Sequence, residues 1–131
     1  RRTEEAAVFC ISVCIRFKEP ELRAANAVGS DSVGSSVAIN WKGVIVGAIN
    51  EESVLSGVHQ NGNNNNGSYG GAAYVFSRSG TAWRFRAYIK SLTPDSFDLF
   101  GQSVAVHNDA VIIGCHGAND GEGCVSVYYN Y

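Results

Sequence analysis

The stretch VGSSVAINWKGVIVG, Val33 to Gly47, is written a second time as FGQSVAVHNDAVIIG, Phe100 to Gly114. A shift of 67 residues pairs Gly34 with Gly101, Ser36 with Ser103, Val37 with Val104 and Ala38 with Ala105. It continues through Val44 with Val111, Ile45 with Ile112 and Gly47 with Gly114. That is seven identities in fifteen positions, where composition alone gives about one. The same register brings Leu22 onto Ile89, Arg23 onto Lys90 and Asp31 onto Asp98, and lays AAVF (Ala6–Phe9) on AYVF (Ala73–Phe76). Such self-similarity is the mark of a fold stacked from copies of one unit.

The copies read as strands. SSVAIN (Ser35–Asn40) alternates Val37 and Ile39 with small or polar residues, a period of two. GVIVGA and AVIIGC are short β-branched runs suited to strands buried on both faces. NWKG and HNDA between them are hairpin links, with Asn108-Asp109 expected to supply positive φ. AAYVFSR and CVSVYYN form a third strand in each copy, and AWRFRAYIK a fourth in the first. No stretch has sustained helical periodicity. The expected fold class is therefore all-β, with antiparallel β-propeller blades amounting to about two blades' worth of an incomplete ring. Residues 6–22 are expected to end one blade, 35–90 to form a full blade and 101–131 a partial one.

Composition excludes some functions. A net charge of −2 gives no basic face for nucleic acid. The one long apolar run, AAVFCISVCI (Ala6–Ile15), is too short to span a membrane as a helix. Glu4 and Glu5 and the missing small-x-small site argue for a buried strand there over a signal peptide. With no methionine, the chain is expected to be a processed product or part of a longer one. Too few blades for a ring implies further blades or self-association.

DLFGQSVAV…VIIGCHG, SDSVGSSVAI…VIVGAIN and GGAAYVFSRSGTAW together resemble the FG-GAP repeat family, the blades of integrin alpha-type propellers. Phe100-Gly101 matches the Phe-Gly element, Gly47-Ala48 and Gly114 keep part of Gly-Ala-Pro, and Ala72–Phe76 with Trp83 match the later strands. Ile49 and His116 stand where the family has proline, and Val33 where it has phenylalanine. The resemblance implies a noncatalytic interaction or adhesion module, extracellular or at a cell surface, with a protein or glycan ligand. The alternative is part of a propeller-containing hydrolase or lyase whose catalytic residues lie outside this chain. Many members bind calcium in the loop after strand two, but NEES (Asn50–Ser53) and NDGE (Asn119–Glu122) lack its alternating carboxylates, so no cofactor is expected.

Candidate sites follow from the loops. Asn50, Glu51 and Glu52 in the first copy and Asn119, Asp120 and Glu122 in the second are the candidate binding residues, because loops carry function on a rigid scaffold. The Asn50–Gly70 loop contains an asparagine-rich insertion with a sequon at Asn66, a glycosylation site only in a secreted eukaryotic protein. Asp31 and Asp98 are read as turn formers, Phe100 as a wedge between blades, and Trp41 as a hairpin cap. Cys10, Cys14, Cys115 and Cys124 fit no zinc spacing, even with His107 and His116 nearby. No catalytic motif is present. Cys115 and Cys124 occupy the positions of Ala48 and Ala72 in the first copy. Two small strand-end residues becoming cysteine together suggests a disulfide; the alternative is cysteine as a small core residue.

Overall fold

A computed structural model describes residues 21–24, 26, 28–59 and 69–130. Residues 6–20, with Cys10 and Cys14, and the sequon at Asn66 lie outside the described residues. The chain forms strands β1 (Val33–Ile39), β2 (Gly43–Ala48), β3 (Gly57–His59), β4 (Ala72–Ser79), β5 (Ala82–Lys90), β6 (Ser103–His107), β7 (Ala110–Cys115) and β8 (Cys124–Tyr129). A single turn, α1 (Ala118–Gly121), precedes β8, and its Asn119 and Asp120 are left-handed. All strand pairs are antiparallel. They build a five-stranded sheet in the order β1-β2-β4-β5-β3 and a three-stranded sheet β6-β7-β8. Among the described residues the fold is all-β, two partial propeller blades that form no closed ring.

The 67-residue repeat is visible in the backbone. Ala38 opposes Ile45 in the first sheet and Ala105 opposes Ile112 in the second. Gly34 and Gly101 both take positive φ, 97° and 92°, at the heads of strands one. A side chain at Gly101 would overlap the Ala72 carbonyl, so glycine serves both the angle and the close approach. Just upstream, Asp31 and Asp98 accept the amides of Val28 and Asp95 through Oδ2, each at 2.9 Å. Their main-chain oxygens accept from Asn50 (3.2 Å) and Gly117 (3.1 Å), tying each linker to the end of strand two in its own blade. Both aspartates are buried turn formers.

Alternation along the strands sorts side chains onto two faces. On one face of the first sheet Ile45, Ala73, Val75, Ala87 and Ile89 are buried. They pack against Val111, Ile113 and Cys115 of the second sheet, with Phe100 fully enclosed in the same cluster. Enclosing a side chain such as Phe100 or Ile113 contributes about 1.5–3 kcal/mol. The opposite face of the first sheet gathers Val46, Ala48, Ala72, Tyr74, Phe76 and Tyr88 beneath Leu22, Ala24 and Leu55. Polar contacts between the sheets include Ser36 Oγ to the Gly101 oxygen (2.6 Å), Asn40 Nδ2 to the Asn108 oxygen (3.1 Å) and the Lys42–Asp109 ion pair.

Two local expectations are corrected. The Asn50–Gly70 segment is not loop throughout, because β3 pairs with the outer edge of β5, Gly57 opposing Lys90. Gly57, at φ 81° and donating to the Ser91 oxygen, turns the chain onto an edge whose amides and carbonyls would otherwise lack partners. In the β6–β7 hairpin Asn108 alone takes positive φ (51°). One central residue of the link, not both, therefore supplies the positive φ.

Candidate functional site

The loops after strand two of each blade carry the candidate binding residues, and the structure treats the two sets differently. Glu51 is fully buried. Its Oε2 accepts from Lys90 Nζ at 2.7 Å and Tyr88 Oη at 2.6 Å, and both carboxylate oxygens lie within reach of the Ser53 amide. Asn26 Nδ2 donates to Oε1 at 3.3 Å, and the Ser53 and Tyr88 hydroxyls are 2.5 Å apart. Lys90, at the end of β5, is buried as completely as its partner. Glu51 therefore holds its loop against β5 and is withdrawn from the surface. A buried carboxylate survives only with this kind of paired, hydrogen-bonded surrounding.

Charge around Glu51 perturbs its neighbours. Burial lowers the Lys90 ammonium from its ordinary value, with Glu51 opposing the shift. Burial raises the Asp31 carboxyl; the Val28 amide opposes this, and the negative charges of Glu51 and Glu52 reinforce it. Tyr88 and Tyr74 are raised first by burial, then by Glu51. The network also reaches the second blade, where Tyr128 Oη donates to the Lys90 main-chain oxygen at 2.8 Å. Asn50 is half-buried and donates through Nδ2 to Ser32 Oγ at 2.9 Å, while Glu52 is half-buried.

The second set stays accessible. Asn119 and Asp120 are exposed and line a polar cleft of about 560 Å³ with Thr93, Asp95, Phe97 and Asp98. The linker 91–98 and the loop at 117–120 form its walls. Gly117 is required there, since a Cβ would overlap the Phe97 carbonyl. Phe97 is 60% exposed and left-handed at φ 65°, an uncommon combination for a large side chain. Tyr69, also left-handed, lies beside it with ring centroids 5.6 Å apart. Glu122 lies instead beside His116 in a separate shallow depression. Asn119 and Asp120 thus line a cleft from which Glu122 is separate.

Cys115 and Cys124 are directly opposed in the β7–β8 register and joined in a disulfide, with Cα atoms 5.1 Å apart. Trp41 is 77% exposed, with Lys42 Nζ 5.0 Å from the ring centroid. Among the described residues no three His, Cys, Asp or Glu side chains converge to hold a metal. Among them, too, no helix is long and apolar enough to cross a membrane.

Sequence reasoning did not single out Phe97, Thr93 or Asp95. The signal available was the repeat: the counterpart of Phe97 is Ser30, so an aromatic stands where the first copy has a small polar residue. Glu51 carried a signal too, since its counterpart is Ala118, a residue suited to a closed space.

Comparison with known proteins gives one match. Residues 83–128 fit the family model described as FG-GAP repeat, a span that runs from β5 into β8. No curated protein and no solved structure matches the chain. The repeat register and the glycines heading strands one agree with this match: residues 83–128 fit an FG-GAP repeat, a propeller-type repeat module.

Proposed function

We propose that this chain is a noncatalytic interaction or adhesion module, acting outside the cell or at its surface, that takes a protein or glycan ligand in the cleft beside Phe97. The observation that carries the reading is that cleft. An exposed aromatic ring stands beside Thr93, Asp95, Asn119 and Asp120, combining a flat apolar contact with hydrogen-bonding groups. Ligand sites typically combine these two elements. Backbone strain at Phe97, Asn119 and Asp120 adds support, because left-handed non-glycine residues cluster where a fold is shaped for recognition. The disulfide supports an oxidising compartment. The same reading expects further blades or self-association around the two present here.

The test is binding of the intact protein to immobilised glycans and matrix proteins, with Phe97→Ser and Asp120→Asn, which keeps a residue suited to the left-handed backbone, beside the wild type. Both positions are exposed, so the melting temperature should hold while binding falls at least about tenfold, the scale of losing one central contact. Binding undiminished in both variants would contradict the assignment.

A further inference from the structure

Charge is divided along the strands, so that the net −2 of the chain hides two ends of opposite sign. Asp31, Glu51, Glu52, Asp95, Asp120 and Glu122 belong to the loops and linkers at one end of the sheets. At the other end, where the β1–β2, β4–β5 and β6–β7 hairpins turn, Lys42, Arg78, Arg84 and Arg86 stand with one described carboxylate, Asp109. Hydrogen bonds set these hairpins side by side: the Arg78 amide donates to the Lys42 oxygen at 3.1 Å, and Lys42 pairs with Asp109 of the second sheet. The three arginines are exposed. Strand alternation in WRFR (Trp83–Arg86) puts Trp83 and Phe85 on one face of β5 and Arg84 on the other. The register then shifts, Phe85 opposing Phe76 and Ala87 opposing Val75, so Arg86 is the extra residue of a β-bulge. A bulge re-aims its side chain. Arg86 lines a cleft of about 380 Å³ between the sheets, with Lys42, Ser77, Asp109 and Asn130. Trp41 adjoins Lys42 at the hairpin tip with its ring open to solvent.

We propose that this hairpin end binds a sulfated polysaccharide. One sulfate sits in the cleft that Lys42 and Arg86 line, and Arg84 and Arg78 meet further sulfates as the chain passes over the β4–β5 hairpin. Three of the four cations are arginine, whose planar fork matches the oxygens of such an anion in pairs. Trp41 adds a flat ring for a pyranose face, and Ser77 and Asn130 supply groups for hydroxyls, the mixture of apolar and polar contacts that ligand sites use. An extended polyanion suits cations spread over neighbouring hairpins, since it brings a charge to each. A lipid surface would meet the projecting Trp41 but not the cleft between the sheets. Nucleic acid also stacks and pairs with arginine, but the Cys115–Cys124 bond supports an oxidising compartment, and outside the cell the polyanionic chains are glycans.

This site is independent of the Phe97 cleft, which lies at the acidic end, so the failure of one leaves the other standing. Isothermal titration of the intact protein with a heparin octasaccharide gives the test. The desulfated octasaccharide, an oligonucleotide of equal charge and vesicles containing phosphatidylserine serve as comparisons. The sulfated chain should bind, and should bind less tightly as salt rises from about 50 to 200 mM, because its condensed counterions are released on binding. Arg84→Gln/Arg86→Gln should bind at least about tenfold more weakly, the scale of losing two charge-assisted hydrogen bonds. Asp109→Asn removes the one described carboxylate at this end and should bind more tightly, a gain that misfolding cannot produce. Should the arginine variant melt early, Asp109→Asn decides, and affinity that fails to rise overturns the proposal. Equal binding of the desulfated chain, tighter binding of the oligonucleotide or the vesicles, or unchanged affinity in a folded arginine variant would also overturn it. So would a loss in Phe97→Ser in place of the arginine variant, which moves the sulfated chain to the other cleft.

Discussion

Replacing Glu51 by glutamine keeps the shape of the side chain and removes its charge, leaving the Lys90 ammonium buried beside a neutral amide. In the wild type the two groups are 2.7 Å apart, both fully enclosed, with Tyr88 and Ser53 also donating to the carboxylate. Removing one partner of a buried pair costs about 3–5 kcal/mol, because the other charge stays out of water. Total stabilities run about 5–15 kcal/mol, so the loss is a large share. With a urea slope of roughly 2 kcal/mol per molar, the midpoint should fall by about 1.5–2.5 M, read by tryptophan and tyrosine fluorescence.

The pH dependence gives the sign. The folded Lys90 value already lies below its ordinary 10.5, so the unfolded chain binds the proton more tightly. Stability therefore rises as pH climbs through the folded value toward 10.5. Without Glu51 the folded value drops further and that rise begins at lower pH, so the variant's deficit should narrow between about pH 7 and pH 10. Replacing Lys90 as well, in Glu51→Gln/Lys90→Met, should recover part of the loss. A Glu51→Gln protein within about 1 kcal/mol of wild type at neutral pH would refute the buried-pair reasoning, as would a deficit independent of pH.

Asp31→Asn tests the neighbouring carboxyl. Burial raises Asp31 above 3.8, so its favourable contribution is complete below that value and is lost as pH rises through the folded one. The variant should therefore gain on the wild type between about pH 3 and pH 7 in thermal melts, and a constant difference would contradict the shift. Reducing the Cys115–Cys124 bond should lower stability by about 2–3 kcal/mol through the short loop it closes; alkylation of both cysteines in unreduced protein, seen by peptide mass, would exclude the bond. Phe100→Ala should cost about 3–5 kcal/mol, measured by denaturant titration, because the ring is enclosed where the sheets meet. A cost below about 1 kcal/mol would remove it from that core.

Most of the strand pattern was legible because the chain states it twice. β4 and β5 match the apolar runs, and β1 begins at Val33, two residues ahead of the alternating segment, because a bulge between Val33 and Ser36 keeps the chain in the sheet. What escaped was set by tertiary context. β3 is three residues long, and its pairing is dictated by the free edge of β5. Leu99 adopts φ 55° although leucine rarely does, because it shares the linker geometry of Ser32 at 56°. Glu51 read as a surface loop residue, since charge normally marks solvent; its burial depends on Lys90, thirty-nine positions away. Asn119 and Asp120 were placed on an accessible loop, but the wall that Phe97 adds depends on how two separate loops meet.

The central claim is that the two copies stack as blades, with one chosen face of the second sheet against the first. Methyl-to-methyl nuclear Overhauser contacts test it directly. The account predicts contacts from Val111 and Ile113 to the Ile45 and Val75 cluster, and none to that cluster from Ile112 or Val127, which alternate onto the outer face. Contacts from Ile112 and Val127 in place of Val111 and Ile113, or no contacts between the sheets, would contradict it.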